Sequence, residues 1–338
     1  MDTLRVGLRI GAMVGVLSAG PVMAQVVVTP SADGVAVDID GKPFTVFHAG
    51  GKDLNRVYLH PLRAATGTVV NRSVPPGQLP GETKDHPHHA GLFYGHGDVN
   101  GFNFWAIRNE PPGNADVPAS TLGRIVLSGP VETTSGPATG TIAARLQWLQ
   151  PDGTPLLVET RTMTFHAHPT LRIIDVDITL RALARAEFRD TKEGTFAMRM
   201  ATELDEPPAT AKPGAPRRTG RLLNSRGGVG EKQVWGKQAE WVDYAGQIGT
   251  EAVGVVMMDH PGNPRHPTYW HSRGYGLHSI NPFGLHDFLN DKTRNGGMTI
   301  DAGQEVRFRY RVVIHPGLSA AALADLYRDY AQGRAPSR

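Results

Sequence analysis

Leu146-Gln147-Trp148-Leu149 leads into Pro151-Asp152-Gly153, the chain returns over 156–165, and it alternates again through Leu171-Arg172-Ile173-Ile174-Asp175-Val176-Asp177-Ile178-Thr179-Leu180. Successive side chains of a strand point to opposite faces, so apolar residues at every second position mark strands with one buried face. Three such runs in a row predict an antiparallel meander. The same period recurs on either side. Toward the N-terminus Val35-Ala36-Val37-Asp38-Ile39 meets Asp40-Gly41, a pair suited to a type I′ hairpin, and Phe44-Thr45-Val46-Phe47 follows. Further strands are predicted over 123–127, 195–203, 254–258 and 305–314, the last with Val306, Phe308, Tyr310, Val312 and Ile314 on one face. One helix is predicted, over 319–331, where Ala322, Leu323, Leu326, Tyr327 and Tyr330 recur at helical spacing behind a Ser able to cap the start.

So many strands predict an all-β chain: a large antiparallel two-sheet β-sandwich with long loops and one C-terminal helix. Such sheets bury one face of each strand and leave the other for a ligand. The 338 residues include 40 Gly and 26 Pro, above ordinary usage, which fits a turn-rich fold. There is no Cys, which excludes disulfides, a thiolate nucleophile, Cys-ligated zinc and iron–sulfur clusters. Any metal must rest on His, carboxylate or carbonyl ligands. Lys and Arg number 35 against 32 acidic residues, a net charge of +3, which implies no basic face for nucleic acid.

Arg5 and Arg9, the apolar run 10–20 and Pro21-Val22-Met23-Ala24 read as a secretory signal peptide over residues 1–24. The run is shorter than the roughly 20 apolar residues of a membrane span. The expectation is one domain over 25–338, periplasmic or secreted, with no membrane span after cleavage.

Histidine is unevenly placed: of 14, four lie between 86 and 96 and five between 260 and 286. Two such clusters, distant in sequence, predict one site. The first is Asp85-His86-Pro87-His88-His89 with Gly95-His96-Gly97-Asp98-Val99-Asn100-Gly101. An extended chain over 86–94 would put His86 and His88 on one face and His89 on the other, so joint action needs a bulge. The second runs from Asp259-His260 through Trp270-His271-Ser272-Arg273 to Asn281. Its rings, guanidinium groups and imidazoles suit stacking on, and hydrogen bonding to, a polyhydroxylated ligand. His88 or His89 and His271 are the candidate acid and base, with Glu203, at the end of the strand 195–203, as carboxylate partner. His86, His96, Asp98, Asn100, Arg273 and Asn281 are candidates for binding hydroxyl groups, and Trp105 or Trp270 for stacking. No cofactor is required by the sequence. A divalent zinc, manganese or calcium ion on His86, His88 and His96, or on His88, His89 and Asp98, is the metal-dependent variant.

The blocks Asp85-His86-Pro87-His88-His89, Gly95-His96-Gly97-Asp98-Val99-Asn100-Gly101 and Phe104-Trp105, with Tyr58-Leu59-His60-Pro61-Leu62, Val234-Trp235-Gly236-Lys237, Trp241-Val242-Asp243-Tyr244, Asp259-His260-Pro261 and Trp270-His271-Ser272-Arg273, resemble the bacterial family catalogued as DUF6807 and earlier labelled methane-oxygenase-like. Ala90 and Asn103 stand where that family usually has Arg and Asp. The resemblance implies a galactose-mutarotase-type β-supersandwich and work on carbohydrate with His and carboxylate as acid and base. A membrane-oxygenase role conflicts with the sequence, because several spans of about 20 apolar residues would be needed and none follows the leader. The expected function is that of an exported enzyme acting on a glycan or an oxidised (keto) sugar by cleavage, elimination or hydration, or epimerisation. A non-catalytic periplasmic carbohydrate-binding protein is the alternative.

Overall fold

The computed structural model describes residues 25–50, 54–107, 117–210, 214 and 217–336, and the leader expectation for 1–24 lies outside the described residues. The meander forms as strands Thr139–Leu149, Pro155–His166 and Arg172–Ala182, with Trp148 opposite Leu157 and Ile178 opposite Arg161. Glu305–His315 pairs with the free side of Arg172–Ala182, Tyr310 opposite Val176. Glu251–Asp259, Trp241–Ile248 and Arg221–Asn224 extend that side, and Arg124–Leu127 and Glu132–Thr134 flank Thr139–Leu149. Among the described residues this makes a nine-stranded sheet.

A second sheet, of seven strands, runs in the order Val26–Ser31, Gly34–Ile39, Lys42–His48, Tyr58–Leu59, Leu92–His96, Gly194–Arg199 and Leu277–Ile280. Asp40 and Gly41 take φ of 54° and 70°, the left-handed pair that a type I′ hairpin requires. The sheets face each other through aromatic contacts: Phe44 meets Phe165 edge-on at 6.1 Å, Tyr94 meets Trp148 at 6.0 Å, and Phe196 stacks on Tyr310 at 4.7 Å. Each ring fully withdrawn from water in this way contributes about 1.5–3 kcal/mol.

The helix Ala320–Ala331 starts where Ser319 accepts a hydrogen bond from the Ala322 amide at 3.3 Å. Its Leu323 and Tyr330 pack with Leu171, Ile173, Trp241 and Val313, which covers the outward face of the nine-stranded sheet. The outward face of the seven-stranded sheet is left for other use. The strand expected over 195–203 ends at Arg199, and Thr202–Leu204 winds instead into a 3-10 turn closed by the Leu204 amide on the Ala201 carbonyl at 2.8 Å.

Candidate active site

In Leu92–His96, period two sends Leu92, Tyr94 and His96 into the sandwich and Phe93 and Gly95 outward. Phe93 lies opposite Ala197, and these two join Trp105 and Leu277 in a small apolar floor edged by Tyr58 and Tyr275. A Cβ on Gly95 would meet the Phe104 carbonyl oxygen at 2.6 Å, so only glycine lets the 103–106 segment cross the sheet this closely.

The segment before this strand is a turn, not an extended run, and so meets the condition for joint action of the three histidines. The His89 amide donates to the His86 carbonyl at 3.0 Å, and His86 takes φ of 47°. All three imidazoles therefore gather on one side. His86 stacks on His89 at 5.0 Å, His88 stands edge-on to His89 at 4.2 Å, and Tyr275 stacks on His86 at 5.4 Å. Buried guanidinium groups hold the turn in place. Arg72 donates to the carbonyls of Asp85 at 2.6 Å and His86 at 2.7 Å, and Arg199 grips both Asp85 carboxylate oxygens at 3.1 Å. Arg56 donates to the carbonyls of Trp105, at 2.6 Å, and His88. Burial alone would raise the Asp85 carboxyl, but its bond to His86 and the Arg199 and Arg72 charges hold it far below the usual carboxylate range.

The opposite wall comes from two other segments. His271 donates through Nδ1 to the Lys192 carbonyl at 2.7 Å, which leaves the lone pair on Nε2. Burial lowers this imidazole to about 4. Arg273 is fixed by Glu231 at 2.8 Å with its guanidinium 5.3 Å from the Trp235 ring. Lys192 pairs with Oε1 of Glu193. Burial works against ionisation of Glu193, but His271, once protonated, and the Lys192 charge prevail and keep it below the ordinary carboxylate value. Together His86, His88, His89, Asn103, Trp105, Lys192, Glu193, His271, Arg273 and Tyr275 line a cleft of about 310 Å³.

Of the residues singled out by sequence, His86, His88, His89, Trp105, His271 and Arg273 meet here. The others do not. His96 points into the core between Phe188 and Phe283, its Nε2 on the Arg189 carbonyl at 2.8 Å. Asp98 caps its own turn through the Gly101 amide at 2.8 Å, and Asn100 spends its amide on the Arg185 carbonyl and the Glu187 amide. Trp270 is fully buried with its indole on the Ala239 carbonyl at 2.9 Å, so it offers no stacking surface. Asn281 donates to the carbonyls of Thr191 and Lys192, each at 2.9 Å, and accepts from the Phe283 amide; it holds the segment that carries Glu193 and has no group left for a hydroxyl.

Glu203 lines a different depression, with His60, Leu79 and Glu82. The carboxylate in the cleft is Glu193, at the other end of the strand from which Glu203 was chosen. Its sequence signal is a Lys-Glu pair directly before an apolar strand. Among the described residues one group of three can offer donor atoms to a metal within 4.8 Å of one another: His88, His89 and Glu193. It includes neither His96 nor Asp98, which the sequence had suggested as ligands. No helix among the described residues is long and apolar enough to cross a membrane.

The model of a family described as "Family of unknown function (DUF6807)" matches residues 34–328. No curated protein matches the chain. Similar solved structures include the GH36 alpha-galactosidase AgaA of Geobacillus stearothermophilus, with 10% identity, 88% of this chain covered and a TM-score of 0.39. AgaB of the same organism gives 10%, 88% and 0.36, and an alpha-galactosidase of Lactobacillus brevis 8%, 90% and 0.35. This chain covers 41%, 40% and 41% of those proteins, respectively. Likeness at that level assigns no activity here.

Proposed function

The chain belongs to the DUF6807 family, and from that premise we propose that it is an exported enzyme acting on a glycan end or an oxidised sugar by imidazole and carboxylate acid–base chemistry. One observation carries this reading. Imidazoles from the 86–89 turn and from His271, about 180 residues apart in sequence, face one cleft together with Glu193.

The groups divide the work as follows. His271 is neutral at pH 7 with its Nε2 lone pair free of the Lys192 bond, which makes it the base. Glu193 stays ionised and accepts from a substrate hydroxyl. The His86 to His89 turn polarises the group on the opposite side of the sugar. Trp105 and Tyr275 give the ring an apolar surface, while Lys192 and Arg273 take oxygens with growing negative charge. A volume near 310 Å³ is at the small end of ligand sites, about 300–1,000 Å³, and suits one or two sugar units.

The test is incubation of the purified protein with a panel of oligosaccharides and 3-keto-glycosides, read by mass spectrometry. The expected result is consumption of one class by the native protein and none by His271→Ala of unchanged thermal midpoint. Sugar binding without consumption of any panel member would replace the enzyme by a binding protein.

A further inference from the structure

We propose that His88, His89 and Glu193 hold a divalent transition-metal cation of the zinc or manganese class at the base of the cleft. The first ground is composition. Two imidazoles and one carboxylate match such ions, whereas calcium and magnesium prefer sets made of oxygen alone. The second is placement. The three donor atoms lie within 4.8 Å of one another, near the roughly 3.3 Å separation implied by bonds of about 2.0–2.1 Å to a four-coordinate ion.

The third ground is independent of that clustering. His89 is 2% exposed, and neither of its ring nitrogens has a hydrogen-bond partner. A buried polar atom without a partner is costly, and proteins seldom leave one at the wall of a cleft without a use for it. Coordination of one nitrogen supplies the missing interaction.

The surroundings favour a cation held firmly but open to a ligand. Lys192 engages Oε1 of Glu193, which anchors the carboxylate at the cleft. The main chain on either side of the two histidines is fixed: Arg72 holds the Asp85 and His86 carbonyls and Arg56 the His88 carbonyl. The rings are packed as well, His89 between His86 and the edge of Trp105. Three protein ligands leave the fourth coordination position for one oxygen of a sugar or for water, as in catalytic zinc sites. The ion would then supply the polarisation assigned above to the histidine turn and take the substrate oxygen in place of Glu193, with His271 remaining the base. Only that last role rests on the sugar reading. Binding of the ion does not.

The experiment uses the full chain, stripped by chelator, and titrates it with Zn²⁺ and with Mn²⁺ in a calorimeter. One equivalent should bind. Glu193→Gln, which keeps shape and volume, and His89→Ala should each weaken binding at least tenfold. His166→Ala, on the other sheet and paired with Asp175, should leave it unchanged. A Glu193→Gln protein that binds Zn²⁺ and Mn²⁺ as well as the native chain overturns the proposal, as does the absence of binding by the native chain. Saturable binding without sugar turnover would support the metal site and remove the sugar reading. Full sugar turnover by the stripped protein in excess chelator would support the sugar reading and remove the polarising role given to the ion.

Discussion

Glu193 and Glu203 sit at the two ends of one stretch, and their environments differ completely. Glu193 faces His271 and Lys192, whereas Glu203 belongs to a separate depression beside Glu82. Glu193→Gln should lower kcat/KM for the sugar found by screening at least 100-fold, the usual range for loss of an acid–base group being about 10²–10⁴. Glu203→Gln should stay within about twofold, and steady-state kinetics on the two variants checks this. The density of imidazole made His88, His89 and His271 legible in the sequence. Which acidic residue joins them depends on which end of a strand reaches the cleft, a fact of packing that spacing does not carry. His96 was misread for a simpler reason. Once Leu92–His96 is known as the strand, alternation puts His96 beside Leu92 and Tyr94 in the core.

The turn at 86–89 and the helix Ala320–Ala331 show the two extremes among the elements. The helix was fully legible, because its cap and its apolar stripe are local. Ser319→Ala should cost about 1 kcal/mol, visible as a lower urea midpoint with unchanged slope. The turn was not legible because its cause is remote: Arg72 and Arg199 approach Asp85 from other parts of the chain and fix the backbone there. Arg199→Lys keeps the charge but loses the two-pronged grip. Because Asp85 is partly open to solvent, the expected loss is about 1–2 kcal/mol in urea unfolding. Turnover should fall more than stability does, since the turn orients three imidazoles, and comparison of kcat with the unfolding midpoint separates the two effects.

At the scale of the molecule, the meander and the final long strand fixed the two-sheet reading, while the order of strands in the seven-stranded sheet had no counterpart in local pattern. The sandwich also buries neutral imidazoles. Burial lowers His96 to about 4, against a weaker opposing effect of its bond to the Arg189 carbonyl, and lowers His278 to about 3. Both are below the ordinary 6.5, so on acidification the unfolded chain takes up these protons first. Their contribution is complete above about pH 6.5 and is lost as pH falls, together at about 3 kcal/mol per pH unit down to about pH 4 and through His278 alone at about half that rate toward pH 3. Circular dichroism against pH should show unfolding between about pH 4 and 6, and His278→Gln should move the midpoint downward. The histidine turn and His271 come from distant parts of the chain, and Glu193 lies between them. A nascent polypeptide that has left the ribosome only as far as residue 200 therefore carries one half of a workshop and no trade. Competence arrives late and all at once, which makes ligand capture a reporter of completed folding that spectroscopy of early strands would miss.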